Sequence, residues 1–264
     1  MNRLEKHFTD LKAREEKAAI FFVTAGDPSL EKTLEILLAM AENGADCIEL
    51  GMPFSDPIAD GPVIQRSTAR AMANRVTIKD ILQLVRRFRM KSDTPVVLMG
   101  YYNPVIRYGI EALVKDCVVN GVDGLIIADL PFEEGEEIEK ITKEHDICLI
   151  YLLAPDIDPR RTEAIVRASA GFVYCVAQYS TTGIDTQTED SHLPDTIKSL
   201  QSMSDLPVAL GFGISSLEKA KKMSRTADGI IIGSWLIKVL ESAENKAESA
   251  GFFVRDVKMA IAAK

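Results

Sequence analysis

The sequence predicts an α/β fold, a single (β/α)₈ TIM barrel with an extra N-terminal helix. Eight short apolar runs recur along the 264 residues, and their starts lie about 30 residues apart, which is the length of one strand, one helix and two loops. The runs are apolar almost throughout, as in parallel strands that are covered on both faces. This regular alternation with helix-length stretches fits a closed barrel better than an open doubly wound sheet.

The predicted strands are apolar runs bounded by glycine, proline or polar residues. Each run is short enough for a strand, and the near absence of polar positions indicates burial on both faces. In chain order, they are residues 18–25, 46–51, 95–100, 124–128, 147–154, 171–177, 207–212 and 229–233.

The predicted helices lie between these runs and carry boundary signals. Residues 77–90 begin with a capping threonine that is followed three residues later by an aspartate, place apolar residues on one face and end in basic residues. Residues 133–144 and 215–225 show the same pattern. We expect residues 2–16 to form the extra helix that closes the bottom of the barrel, and residues 235–263 to form the final helices.

The domain number follows from the spacing of these elements. A length of 264 residues is compatible with two domains of about 150 residues or with one α/β barrel of about 250. No linker-like, repetitive or low-complexity segment divides the chain. We therefore expect one domain that spans residues 1–264.

The charge and hydropathy pattern argue against nucleic-acid and membrane partners. The net charge of −8 contrasts with the basic stripe of a nucleic-acid binder. The longest apolar runs, such as 147–154, are far shorter than the roughly 20 residues of a membrane span. The charged first residues lack the apolar centre of a secretory signal, so we expect a cytoplasmic protein.

Cysteine and histidine positions argue against a disulfide framework and a metal centre. Four widely spaced cysteines include no CxxC pair, and three lie in apolar runs, which predicts buried thiols in a reducing compartment. His7, His145 and His192 lie away from the predicted strand ends. Neither a histidine-centred triad nor a metal site is therefore expected.

Glu49 is the first candidate for catalysis, because barrel active sites lie at the C-terminal ends of the strands. It lies within the apolar run 46–51, where a carboxylate must be paired, neutralised or functional. Burial without a partner would raise its pKa, as a general acid/base that works near neutral pH requires. A salt bridge to a nearby lysine or arginine is the alternative, and the pattern does not decide between them.

The segment that follows contains a second carboxylate candidate. Residues 52–62 include three prolines and two aspartates, and proline restricts both its own backbone and that of the preceding residue. Asp60 could therefore be held in a fixed direction facing Glu49. Turn formation is the other interpretation, since Asp-Pro and Asp-Gly are ordinary turn dipeptides.

Two glycine-rich turns predict an anion site. The seventh strand runs into GFGIS at 211–215 and the eighth into GSW at 233–235, and each is followed by a helix. Glycine allows backbone N–H groups to approach an anion, and a helix N-terminus adds favourable partial charge. The loops after strands seven and eight hold phosphate in many barrels. Tight turns without a ligand are the alternative.

These motifs resemble the tryptophan synthase α-subunit family over essentially the whole chain. The matching passages are FVTAGDP at 22–28, ELG at 49–51, PFSDP at 53–57, ADGP at 59–62, GVDG at 121–124, DLP at 129–131, GFGIS at 211–215 and GS at 233–234. The resemblance implies a lyase that cleaves indole-3-glycerol phosphate into indole and glyceraldehyde 3-phosphate in tryptophan biosynthesis. It also implies no cofactor in this chain and a pyridoxal-phosphate β subunit as the partner in an α₂β₂ complex.

The resemblance also implies a role for each matching residue. Glu49 would be the general acid/base, and Asp60 would accept the indole N–H. The remaining implied contacts are the indole pocket at Phe22, Tyr101, Ile126 and Tyr174, the phosphate site at Gly211, Phe212, Gly213, Gly233 and Ser234, the closing loop at Thr182 and Gly183, and the partner interface at Asp56 and Pro57.

The chain departs from the family pattern in two places. In the segment AQYSTTG at 177–183, Ser180 replaces a glycine and Thr181 replaces a valine, which restricts the backbone and adds polarity. Trp235 replaces a small residue, and we expect it to pack on the outer helix layer rather than to crowd the phosphate. A free-standing lyase and a weakly catalytic regulatory subunit therefore remain alternatives to the lyase of an α₂β₂ complex.

Overall fold

The computed structural model describes residues 2–154, 157–176, 193–211 and 213–262. The strands in these ranges form one parallel sheet with the order β5-β4-β3-β2-β1-β9-β8-β7-β6. They are β1 (Ala18–Thr24), β2 (Cys47–Gly51), β3 (Val96–Gly100), β4 (Gly124–Ile127), β5 (Cys148–Ile150), β6 (Leu152–Leu153), β7 (Val173–Val176), β8 (Val208–Gly211) and β9 (Gly229–Ile232). Only Tyr151 separates β5 from β6, so both ends of the order belong to one stretch of chain. The sheet is the predicted barrel.

The helices surround this sheet. They are α1 (Arg3–Ala13), α2 (Leu30–Glu42), α3 (Pro62–Ala73), α4 (Ile78–Arg89), α5 (Tyr102–Tyr108), α6 (Ile110–Asn120), α7 (Glu136–Glu144), α8 (Pro159–Ala168), α9 (Leu193–Met203), α10 (Leu217–Ser224), α11 (Ser234–Ser242) and α12 (Lys246–Ala262). The prediction for 77–90 is confirmed, because Thr77 caps α4 and the Asp80 carboxylate accepts the Thr77 N–H at 2.9 Å.

Two predicted elements are interrupted, and the interruptions contact each other. The run 147–154 is divided at Tyr151, and the helix predicted at 133–144 is a 3₁₀ turn at Phe132–Glu134 followed by α7. The Tyr151 hydroxyl donates to Glu139 at 2.7 Å. A Cβ on Gly135 would lie 1.7 Å from that hydroxyl, so only glycine fits between the turn and the helix. Long-range packing therefore divides a helix that sequence periodicity makes continuous.

Side chains alternate between the barrel interior and the helix layer. Ile20 and Phe22 of β1 lie in the interior cluster, whereas Phe21 and Val23 pack against the helices. The interior cluster also contains Phe8 of α1, whose ring lies 5.5 Å from that of Phe172. Helix α1 therefore closes the bottom of the barrel, as the sequence predicts.

Three aspartates hold the bottom of the sheet together. Each directly precedes a strand and accepts an N–H group from the start of the neighbouring strand: Asp46 from Ala19 at 2.7 Å, Asp123 from Val96 at 2.8 Å and Asp228 from Val208 at 2.9 Å. Buried Asp123 also pairs with Arg89 at 2.6 Å and with Arg3. The strand contacts fix the register of adjacent strands, and the ion pairs of Asp123 connect the sheet to the helices that carry Arg89 and Arg3.

The cysteines, Trp235 and the hydropathy of the helices can be compared with the sequence-based expectations. All four cysteines are buried free thiols, as predicted. The Trp235 ring lies 4.6 Å from that of Phe253 in an edge-on arrangement, so Trp235 packs in the helix layer as expected. Across the described residues, no helix combines the length and the apolar character needed to cross a membrane.

We predict that Asp123→Ala lowers the free energy of unfolding by about 3–5 kcal/mol, because it leaves the Arg89 guanidinium buried without its carboxylate. Asp93→Ala is the matched control, since the Asp93 side chain is 97% exposed and approaches Arg3 only at 3.8 Å. It should change the stability by less than about 0.5 kcal/mol. Urea unfolding of both variants provides the measurement, and equal effects would contradict the proposed anchoring.

Candidate active site

Glu49 is a buried carboxyl group with no charged partner in the described part of the chain. The parallel register places it beside Phe22 of β1 and Val97 of β3. Its side chain faces the barrel interior and is 1% exposed, and its Oε1 atom has no hydrogen-bond partner among the described residues. Desolvation raises its pKa from 4.5 to about 8. The salt-bridge alternative is therefore not observed within the described part of the chain, and the protonated form predominates at neutral pH.

Asp60 lies at the end of the loop between β2 and α3. Its backbone N–H donates to the Pro57 carbonyl at 3.1 Å, so the turn interpretation holds for its main chain. Its side chain lies near the Tyr101 hydroxyl, and both residues line the same cavity. Burial raises the pKa of Asp60 to about 6, although the Tyr101 hydroxyl opposes this shift. Asp60 is therefore mostly ionised at neutral pH, whereas Glu49 is mostly protonated.

A cavity at the C-terminal ends of β1, β2 and β3 brings several candidates together. Glu49 lies two residues before Gly51 on β2 and therefore one inward-facing position beneath the cavity wall. The cavity is lined by Phe22, Thr24, Gly51, Met52, Asp60, Thr68, Met99, Gly100, Tyr101 and Ala128. Phe22, Asp60 and Tyr101 were predicted.

Thr24 also lines the cavity, although no sequence motif marked it as a site residue. Its hydroxyl is buried and has no hydrogen-bond partner among the described residues. An available signal was its position two residues after Phe22 on the same strand, since alternate residues face the same side. Thr68 of α3 carried no comparable signal, because it reaches the cavity only through the packing of that helix.

Tyr174 and Ile126 lie in the barrel interior and do not line this cavity. Ile126 is fully buried and pairs in register with Met99 and Ile150. Burial raises the pKa of the Tyr174 hydroxyl, and the charges of Glu49 and Asp60 raise it further. Tyr174 therefore belongs to the same electrostatic environment as the two carboxyl candidates.

Two glycines make room for aromatic rings at the strand ends. A Cβ on Gly51 would lie 2.5 Å from the Phe22 ring, and a Cβ on Gly211 would lie 2.4 Å from the Tyr174 ring. The sequence analysis associated Gly211 with the anion site alone. The structure adds a steric reason, because a side chain at this position would displace Tyr174.

The candidate anion site lies at the ends of the neighbouring strands β8 and β9. Gly213 has φ +78° and open space where a Cβ would point. Gly233 is the N-cap of α11 and provides no side-chain cap, so the first N–H groups of this helix remain available, and Ser234 at its first position is exposed. Phe212, Thr182 and Gly183 lie outside the described residues.

The predicted partner-facing residues lie on an exposed part of the loop between β2 and α3. Asp56 is exposed and Pro57 is half-buried. Ile58 beside them is 81% exposed, which is unusual for a large apolar side chain. The loop therefore presents a mixed apolar and acidic tip to the outside, whereas Asp60 near its other end lines the cavity.

We predict that Glu49→Gln increases the free energy of unfolding, by an amount that grows from pH 5 to pH 8. The folded pKa is raised, so the folded state retains a proton that the unfolded state loses above about pH 4.5, and stability falls as the pH rises. The free energy of unfolding of Glu49→Gln should therefore exceed that of the wild type by an amount that grows by up to about 1.4 kcal/mol per pH unit. Chemical unfolding across this range measures it.

Glu244→Gln provides the matched control, because Glu244 is exposed. Because that side chain is exposed, its replacement should change the stability by less than about 0.5 kcal/mol. A Glu49→Gln difference that stays constant from pH 5 to pH 8 would contradict the raised pKa of Glu49.

Comparison with known proteins identifies the family. The family described as "Tryptophan synthase alpha chain" matches residues 8–261. A tryptophan synthase alpha chain from Caldanaerobacter subterraneus subsp. tengcongensis is 46% identical over 248 residues, which cover 94% of each chain. A relative of the same description from Geotalea uraniireducens is 42% identical, covering 100% of this chain and 99% of the relative.

Solved structures agree with the sequence matches. The tryptophan synthase subunit alpha of Legionella pneumophila superposes with a TM-score of 0.91 at 35% identity and covers 99% of both chains. A chain of tryptophan synthase from M. tuberculosis in its open form superposes with a TM-score of 0.88 at 31% identity and 99% coverage of both chains. On the sequence matches and the shared barrel, this chain belongs to the tryptophan synthase alpha chain family.

Proposed function

We propose that Glu49 and Asp60 perform the carbon–carbon cleavage of this family, which converts indole-3-glycerol phosphate to indole and glyceraldehyde 3-phosphate. The chain is a lyase of tryptophan biosynthesis. The observation that carries the residue assignment is that Glu49 is buried with no charged partner among the described residues, beneath a cavity that Asp60 lines.

Glu49 is suited to act first as an acid and then as a base. With a pKa of about 8 it holds a proton at neutral pH, and this proton can pass to C3 of the indole ring. The resulting carboxylate then takes the proton from the hydroxyl on the carbon attached to C3. The bond between these carbons breaks, its electron pair returns to the indole ring, and the hydroxyl carbon becomes the aldehyde. Glu49 ends the cycle protonated, so proton transfer balances.

Asp60 supports the charged form of the ring. Protonation at C3 places positive charge on the indole nitrogen, and a carboxylate that accepts its N–H stabilises that charge. A pKa of about 6 keeps Asp60 ionised at neutral pH. The two carboxyl groups therefore have opposite protonation states under the same conditions, as their separate roles require.

The remaining site residues are proposed to bind the two ends of the substrate. Phe22, Tyr101, Ile126 and Tyr174 would surround the indole, and the first two line the observed cavity. Backbone groups of Gly211, Phe212, Gly213, Gly233 and Ser234 would hold the phosphate, which the uncapped start of α11 supports. On the family resemblance, Thr182 and Gly183 would close over the substrate and exclude water.

The partner is proposed to be a tryptophan synthase β subunit in an α₂β₂ complex. The exposed tip with Asp56 and Pro57 would face this subunit, and the neighbouring Ile58 supplies apolar surface for such a contact. The family needs no cofactor in this chain, and we propose that pyridoxal phosphate belongs to the β subunit.

The single-domain and cytoplasmic assignments are part of the same proposal. The first strand, Ala18–Thr24, and the last, Gly229–Ile232, belong to the same barrel sheet, which supports a single domain over residues 1–264. Four buried free thiols support a reducing compartment such as the cytoplasm.

The decisive assay follows glyceraldehyde 3-phosphate release from indole-3-glycerol phosphate with and without a tryptophan synthase β subunit. We expect release that the β subunit stimulates strongly. Glu49→Gln should lower kcat by about 10²–10⁴-fold, because it removes the proton donor and acceptor. Glu244→Gln should retain wild-type turnover.

Each other outcome has a defined meaning. Fast release without stimulation would favour a free-standing lyase. No release under either condition would contradict the lyase activity and favour a regulatory subunit. Normal turnover of Glu49→Gln would contradict the assignment of Glu49.

We predict a bell-shaped pH dependence of kcat/KM, with limbs near pH 6 and pH 8. Activity rises through about 6 as Asp60 ionises, and falls above about 8 as Glu49 loses its proton. Asp60→Asn should lower activity and abolish the acidic limb while retaining the alkaline limb. An unchanged acidic limb in this variant would assign it to another group.

A further inference from the structure

The loop between β2 and α3, residues 52–61, is attached to the end of β3. At its start, the Met52 N–H donates to the Met99 carbonyl at 2.7 Å. The Met52 side chain lies over Gly100, where a Cβ would come within 2.5 Å of its terminal methyl group. The loop is therefore attached at β3 by a main-chain hydrogen bond and by the packing of the Met52 side chain against Gly100.

Tyr101 extends this attachment to the far part of the loop. Its ring lies 5.4 Å from that of Phe54, with the ring planes inclined at 34°. Its hydroxyl accepts the Ala59 N–H at 3.1 Å. The same hydroxyl lies close enough to the Asp60 carboxylate to lower the pKa of that group, as an O–H group does when it stabilises the charged form. One phenol group thus accepts the N–H group of Ala59 and acts electrostatically on the carboxylate of the next residue.

The Tyr101 ring is well placed for this task. It is 4% exposed, and its backbone forms the N-cap of α5. The following N–H group, that of Tyr102, donates to Asp129 at 2.7 Å, which ties the start of α5 to the end of β4. Burial raises the pKa of the Tyr101 hydroxyl further above 10, so the hydroxyl keeps its proton throughout the working range.

We propose that Tyr101 is a positioning residue, whose hydroxyl aims the Asp60 carboxylate into the cavity by holding Ala59 and Asp60 together. This role rests on the proposed function and goes beyond a wall of the indole pocket. A wall needs only the ring, which phenylalanine would also supply. The hydroxyl is the part of Tyr101 that the positioning role requires.

The charge environment of Asp60 defines a measurable consequence. Several titratable groups among the described residues are linked to Asp60. Tyr101 after β3 acts on it directly, and Asp129 raises the pKa of Tyr101. Asp60 and Glu49 of β2 both raise the pKa of Tyr174 of β7. Of these, the Tyr101 hydroxyl lowers the pKa of Asp60 by donating a hydrogen bond to its charged form. Loss of this hydroxyl should therefore raise the pKa of Asp60.

The test compares Tyr101→Phe with Tyr102→Phe, which removes the same hydroxyl from the next residue. Glyceraldehyde 3-phosphate release is followed in the complex with a β subunit from pH 5 to pH 9. In Tyr101→Phe, we expect the acidic limb of kcat/KM to move upward by about 1 pH unit and the alkaline limb to stay in place. Tyr102→Phe should retain both limbs. An acidic limb of Tyr101→Phe at the wild-type position would overturn the proposal.

A double-mutant cycle separates positioning from general damage to the fold. Tyr101→Phe should lower kcat/KM about tenfold at pH 7 in the wild type, but by less than about twofold in the Asp60→Asn background, because the group that it positions is then absent. Equal losses in both backgrounds would overturn the positioning role. Absence of turnover in the wild type would overturn the lyase proposal itself, whereas normal wild-type turnover with an unaffected Tyr101→Phe would overturn only this inference.

Discussion

The parallel ladder between β1 and β2 places Phe22 level with Glu49, and the site depends on this register. Because side chains alternate along a strand, a shift by one residue would turn Glu49 into the helix layer and bring Leu50 inside. The ladder between β2 and β3 extends the same constraint, since it sets Glu49 beside Val97. An apolar barrel interior then surrounds the carboxyl group, and this desolvation raises its pKa.

The carboxyl groups at the two ends of the barrel differ in whether basic side chains compensate their burial. At the bottom, Asp46 and Asp123 each accept a strand N–H group and also pair with basic side chains, so their burial is compensated. Near the top, Glu49 has no ion pair within the described chain, and Asp60 is near a phenol rather than a cation. The bottom therefore contributes stability, whereas the uncompensated groups near the top can exchange protons near neutral pH.

Much of the architecture could be predicted from local patterns. The eight apolar runs contain all nine strands of the described residues, and the threonine and aspartate at the start of α4 form the expected capping pair. The exceptions lie where distant residues meet. Tyr151 and Gly135 interrupt their elements because they pack against each other, and no local pattern contains that contact. Likewise, Thr24 could have been assigned from alternation, but Thr68 reaches the cavity only through helix packing.

The sequence by itself determined the fold class and predicted the barrel end of the candidate site and its two candidate carboxyl residues, because hydrophobic period, strand spacing and motif identity are local properties of the chain. The tertiary structure decided the state of those carboxyl groups. Whether Glu49 is paired or desolvated, and whether Asp60 only forms a turn or also faces the cavity, depends on side chains from other strands. Desolvation and hydrogen bonding arise from neighbours in space, and Tyr101, whose hydroxyl lowers the pKa of Asp60, lies 41 residues further along the chain.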